Sequence, residues 1–254
     1  MILSRRVALN GTQLDSLDNR IVIRSVVCGA PAENIQAVSR MGGAGQRITR
    51  RHTDTLDVTV RWAMDVQKYD MAARREILEK VNHWASACGW LTVNCYTGRR
   101  LWTEQAALPG GVDLWNWTED YAITFRAYGV PYWQDATPVV SETDHIDVPG
   151  HYRTVCDIDI QNTSELTVND LTVSVGNSQF NFENLGLDGG ETLKIGHTNS
   201  GVLWIRIYYS ETGYRDAFSK RTADSSDDMY AEPGSRSIDV TGGTATVRVC
   251  GRYA

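Results

Sequence analysis

The sequence predicts a mainly β protein of two domains. The first is an α+β domain with one main helix, and the second is an antiparallel β-sandwich. Three observations predict this. Residues 55–89 pass from a strand period to a helix period. After residue 150 every candidate element is a short strand bounded by turn residues. Composition also changes near residue 136. Residues 1–136 carry 16 Lys+Arg against 14 Asp+Glu, a net +2, and residues 137–254 carry 9 against 17, a net −8, which together give the −6 of the 254-residue chain. Of the eight tryptophans, only Trp204 follows that point. The expected domains are therefore residues 1–136 and 137–254.

Hydrophobic content of 42% and charged content of 22% describe an ordinary globular chain. No apolar run approaches ~20 residues, so no membrane-spanning helix is expected. The start, MILSRRVALNG, has no sustained apolar stretch, and no secretory signal is expected. The five cysteines show no CxxC pair and read as buried free thiols of a protein made in a reducing compartment.

Residues 1–13 read as an extended lead-in with a tight turn at Asn10-Gly11. Residues 20–27 (RIVIRSVV) form a strand. Residues 29–45 (GAPAENIQAVSRMGGAG) show no clear period. A long glycine-bearing segment inside a compact domain is commonly a functional arm. Gly29, Pro31, Gly42, Gly43 and Gly45 are accordingly the candidate inter-subunit arm, expected to order against a neighbour. GGAG lacks the Lys-Ser/Thr of a phosphate-binding loop. Residues 46–52 (QRITRRH), with Arg47, Arg50 and Arg51, read as a charged strand edge that deters unwanted pairing.

Leu56, Val58, Val60, Trp62 and Met64 alternate with mostly polar residues, the period of a half-buried strand. Met71, Ile77, Leu78, Val81, Trp84, Ala85 and Cys88 then make one apolar stripe, predicting a helix over 70–88. Asp70 suits the N-cap and Gly89 the left-handed residue that closes the helix. Strand and helix are expected to cover each other. Residues 91–96 and 99–105 flank a hairpin turn at Thr97-Gly98. Trp115 and Trp117 read as packing residues beside a strand at 121–128. Residues 129–150 hold three of the six prolines and no period, so the domain boundary is placed there, with the Pro131-Tyr132-Trp133 cluster closing the first domain.

Strands are expected over 152–161, 166–175, 179–187, 191–195, 202–209, 235–240 and 245–253, with a weak one near 214–220. Short strands at this spacing with turn residues between them signal a sandwich. Asp157 and Asp159 share one strand face and read as its wet side. Residues 224–228 (DSSDD) read as a mobile acidic loop, without the carboxylate spacing of a calcium loop. His83 is a surface or packing residue. There is no HExxH and no GxSxG. No catalytic, cofactor-binding or metal-binding residue is assigned, and no enzyme is expected.

Two stretches carry a resemblance. Residues 47–133 run through a basic strand, an alternating strand, the helix KYDMAARREILEKVNHWA, a hairpin and YAITFRAYGVPYW. This order resembles the N-terminal domain of siphophage distal tail proteins, a Dit-like phage tail component family. Residues 177–240, with NSQFNFENLGLDGGETLKIGH and RTADSSDDMYAEPGSRSIDV, are similar to that family's galectin-like C-terminal sandwich. The resemblance implies a structural virion protein of the tail tip, made in the bacterial host cytoplasm. It implies a hexameric ring, with the tail tube protein and the tail-tip hub protein as partners and a receptor-binding protein carried outward. It implies no cofactor, no membrane and no sequence-specific nucleic acid. The alternative reading is a carbohydrate-binding protein that uses the sandwich to hold host glycans. Its sugar-contact candidates are Trp204 and Tyr208, which share one strand face; core packing is the simpler expectation for Trp204.

Overall fold

A computed structural model of the protein describes residues 6–31, 33–39, 46–53, 55–67, 70–108 and 120–254. The chain is mainly β and divides into two compact units, Met1–Trp133 (with Ala254) and Gln134–Tyr253.

In the first unit, β1 (Val7–Leu9) and β2 (Thr12–Gln13) form a hairpin around the expected Asn10-Gly11 turn, whose residues have φ of 51° and 84°. Then come β3 (Ile21–Cys28), β4 (Glu33–Ser39), β5 (Gln46–Thr53) and β6 (Leu56–Met64). Helix α1 (Met71–Ser86) follows, and then β7 (Gly89–Val93), β8 (Arg99–Thr103), β9 (Gln105–Ala107) and β10 (Tyr121–Ala127). One sheet has the order β3-β6-β10-β9; a second runs β2-β1-β7-β8.

The alternation in β6 buries Leu56, Val58, Val60, Trp62 and Met64. Register pairs Val58 with Phe125, Val60 with Ile123 and Trp62 with Tyr121, which places apolar pairs in rows on one face. Helix α1 covers that face, and its Trp84 meets Phe125 edge-on at 5.7 Å. The Trp84 indole N–H also donates to the Thr12 carbonyl (3.0 Å), tying the helix to the second sheet. The Asp70 carboxylate accepts from the Ala73 N–H (3.0 Å), an N-cap that satisfies an orphan donor. The helix closes at a different residue from the expected one. Cys88 is left-handed, with φ of 48°, and Gly89 opens β7.

The second unit begins with β11 (Trp133–Asp135, crossing the division), β12 (Val139–Ser141) and β13 (His145–Val148). It continues with β14 (Thr154–Gln161), β15 (Leu171–Val175), β16 (Ser178–Phe182), β17 (Thr192–His197) and β18 (Leu203–Tyr208). The last strands are β19 (Tyr214–Asp216), β20 (Tyr230–Ala231), β21 (Gly234–Val240), β22 (Thr244–Val249) and β23 (Arg252–Tyr253). One antiparallel sheet runs β12-β22-β14-β17-β18-β19; the other runs β13-β21-β15-β16. Inward residues such as Ile158, Ile160, Ile195 and Ile207 form one core with Val173, Phe180 and Phe182. The segment expected to be an unpatterned boundary therefore supplies an edge strand to each sheet, β12 on β22 and β13 on β21.

Candidate assembly surfaces

The arm candidates sit where β3 leaves its sheet. The Gly29 N–H donates to the Asp57 carbonyl (2.8 Å), and a Cβ on Gly29 would stand 2.9 Å from that same oxygen. Backbones this close exclude a side chain. The half-buried Pro31 follows, and then β4 pairs with β5 from Glu33↔Thr53 to Ser39↔Gln46. The expected irregular arm is thus a two-stranded ribbon between β3 and β6. Gly42, Gly43 and Gly45 lie outside the described residues, as do Trp115 and Trp117. Among the described strands, β4 and β5 pair only with each other. A ribbon this small is marginal by itself, and neither outer edge is paired with another described strand, which leaves backbone groups there suited to pairing with another chain. At its root the Thr53 and Tyr132 hydroxyls share a 2.7 Å hydrogen bond, and Arg126 grips the Asp57 carboxylate through Nε and Nη2, each at 2.8 Å.

In the second unit Trp204 and Tyr208 are half-buried on the outer face of β18, while Ile205 and Ile207 point inward. Trp204 is therefore not a core residue. It lies over Gly196 so closely that a Cβ there would come within 2.3 Å of the indole. Register brings Tyr214 opposite Tyr208 (ring centroids 5.4 Å apart), and Arg206 stacks over both Tyr214 (4.2 Å) and Trp204 (5.1 Å). Lys194 sits over the Tyr208 ring at 4.9 Å. The sequence reading missed Tyr214, Arg206 and Lys194 as companions of Trp204, because cross-strand register, and not spacing along one strand, brings them together. On the same face Asp159 pairs with Arg248 (2.9 Å), beside an open polar groove of about 490 Å³ lined in part by Gln161, Thr192 and Lys194.

The acidic segment 224–228 is fastened rather than loose. Beside β16, the Thr222 and Ser226 N–H groups donate to the Asn181 and Gln179 carbonyls (2.9 and 2.8 Å). In return the Ser225 and Ser226 hydroxyls accept from the Asn181 and Gln179 N–H groups (both 2.9 Å). Asp228 then reaches the other sheet, 2.7 Å from His197 Nε2, while His197 Nδ1 faces Asp157 at 3.1 Å. Burial alone would lower the His197 pKa, but the two carboxylates outweigh it and raise it above the ordinary histidine value. Burial likewise opposes ionisation of Asp228, yet the His197 hydrogen bond holds its pKa below normal. Asp157 is thus wet on its own strand face but engaged with His197. His83 is exposed on α1. All five cysteines are free, but only Cys156 is buried and Cys95 is exposed. Among the described residues no cluster of three or more His, Cys, Asp or Glu is placed to hold a metal ion, and no helix is long and apolar enough to cross a membrane.

These features define a class of architecture: an α+β unit with one covering helix and a paired-strand arm, and an antiparallel sandwich. That architecture is the fold of the Dit protein of phage SPP1, a paradigm of the hub adsorption apparatus in phages that infect Gram-positive bacteria. The two share 12% identity and a TM-score of 0.69 over 98% of this chain and 99% of that one. A chain of the phage P2 baseplate, in its activated conformation with Ca, is similar at 9% identity and a TM-score of 0.52, with 97% of each chain covered. No protein-family model and no curated protein matches the sequence.

Proposed function

We propose that this chain is a structural component of a phage tail tip, a distal tail protein whose copies close into a ring, six in number. The ring joins the tail tube to the tail-tip hub and carries host-recognition components outward. The observation that carries this reading is the fold shared with the SPP1 hub protein along essentially the whole chain. The open-edged ribbon supports it. A ring repeats one heterologous contact by rotation, so each copy needs two different complementary surfaces, and an unpaired strand edge provides one. The acidic second domain suits a solvated periphery. Light scattering of the purified full chain, followed by negative-stain imaging, tests the reading. The expected result is a closed ring of about six copies; a monomer at every concentration would overturn it.

A second reading, compatible with the first, has the β18–β19 face hold glycans, and the grouping of Trp204, Tyr208 and Tyr214 there favours it. Aromatic faces flanked by hydrogen-bonding groups suit sugar rings. Binding of the full chain on a glycan array, lost in Trp204→Ala, is the expected result. An array with no signal removes this reading and leaves the first untouched.

A further inference from the structure

Arg206 sits half-buried on the outer face of β18, its guanidinium over the Tyr214 ring at 4.2 Å and the Trp204 ring at 5.1 Å. Among the described residues it has no hydrogen-bond or ion-pair partner. Register sets Asp216 of β19 opposite it, but that carboxylate accepts from the Phe218 N–H (2.9 Å) and makes no ion pair with Arg206. On the other side, register sets Lys194 of β17 directly opposite. Like charges facing each other across two strands destabilise a sheet. Lys194 has only a long contact with Asp159 (3.9 Å), whose carboxylate Arg248 holds at 2.9 Å. We propose that Arg206, with Lys194 beside it, binds the carboxylate of an acidic sugar, so that the glycan held on this face is a carboxylated one. The inference rests on the glycan reading of the β18–β19 face and names its ligand class.

The surroundings of the guanidinium select the ligand. Aromatic contacts engage its face and leave the N–H groups along its edge for a partner. A carboxylate is planar and meets that edge with two parallel hydrogen bonds. The sugar ring that carries it has apolar C–H faces, which suit the Tyr208 and Tyr214 rings, 5.4 Å apart. The groove beside Lys194, with Gln161 and Thr192 in its lining, offers hydrogen-bonding groups to the sugar hydroxyls. Residues 137–254 carry a net −8, so no general attraction draws polyanions to this half of the chain. Recognition is therefore local, made by two cations and the rings around them.

An array of carboxylated glycans, the same glycans with each carboxylate reduced to an alcohol, and sulfated glycans tests this with the full chain at about 0.15 M salt, where distant charges are screened. The carboxylated forms are expected to bind about tenfold or more tightly than the reduced ones, the scale of a charge-assisted hydrogen-bonded pair. Arg206→Gln is expected to erase that preference, and Arg206→Lys, which keeps the charge but loses the fork, to recover only part of it. Equal binding of carboxylated and reduced forms overturns the carboxylate site and leaves the glycan reading standing. Sulfated glycans bound as tightly as carboxylated ones, or a preference that persists in folded Arg206→Gln, overturn it in the same way. Silence across the whole array removes both. The wild-type comparison alone decides the matter if a variant fails to fold.

Discussion

A carboxylate at neutral pH only accepts hydrogen bonds, and the His197 ring meets one at each nitrogen. A neutral imidazole can donate from one nitrogen only, so this geometry calls for the doubly protonated ring. The His197 side chain is 2% exposed, which keeps water from replacing either partner. Because the folded pKa is raised, the stabilisation is complete below the unfolded histidine value of ~6.5 and is lost as pH rises through the folded value. The Asp228 shift has the opposite sign. Its contribution is present above the unfolded carboxylate value and is lost as pH falls through the depressed folded one. The clasp is therefore strongest between these limits. His197→Gln is expected to lower stability by about 2 kcal/mol near pH 6, the scale of charge-assisted hydrogen bonds with one half-exposed arm. Urea titrations from pH 5 to pH 9 check this: the gap between wild type and variant should narrow toward pH 9, and a gap constant across the series would dismiss the protonated clasp. None of this was legible in the sequence, because the partners lie 40 and 31 residues from His197 and only the pairing of β14 with β17 and the path of the acidic loop bring them together.

Among the elements, legibility followed how well a local pattern survived the folded geometry. Strand β6 and helix α1 were readable because β6 alternates from Leu56 through Trp62, the helix keeps one apolar stripe, and it starts at a capping carboxylate. Strand β4 was not readable. Its register shifts between Gln36 and Ala37, which interrupts the two-residue period. Strand β12 is three residues long with Val139 and Val140 both exposed, and such an edge leaves no inward–outward signature. Strand β13 does alternate, burying Ile146 and Val148, but four residues ahead of Pro149 are too few to stand out. The strands of the sandwich core were visible because each has one face in a closed apolar layer. For the same reason the Trp204 expectation failed: a large apolar residue on an alternating strand reads as core, whereas Ile205 and Ile207 hold the core positions and Trp204 takes the other face.

For the whole molecule, the arm is an insertion into an otherwise simple connection. Strands β3 and β6 are antiparallel neighbours with Cys28 paired to Val58, and Gly29 already bonds to the Asp57 carbonyl. The two ends of the arm therefore lie side by side, and a short Gly-rich turn can join them without moving either strand. Changing the length of such a connection alters closure entropy by only about 0.6 kcal/mol per doubling. Replacing residues 31–53 with such a turn keeps the β3-β6-β10-β9 pairing intact and sacrifices the Thr53–Tyr132 hydrogen bond, worth about 1 kcal/mol. The excised chain is expected to keep its circular dichroism and to melt within a few degrees of wild type. If the ribbon's free edges bind the neighbouring copy, its mass by light scattering should fall from the ring to the monomer at concentrations where the full chain is assembled. A folded, excised chain that still forms the full-size ring would show that the ribbon contributes nothing to closure and that the self-complementary surfaces lie elsewhere on the molecule.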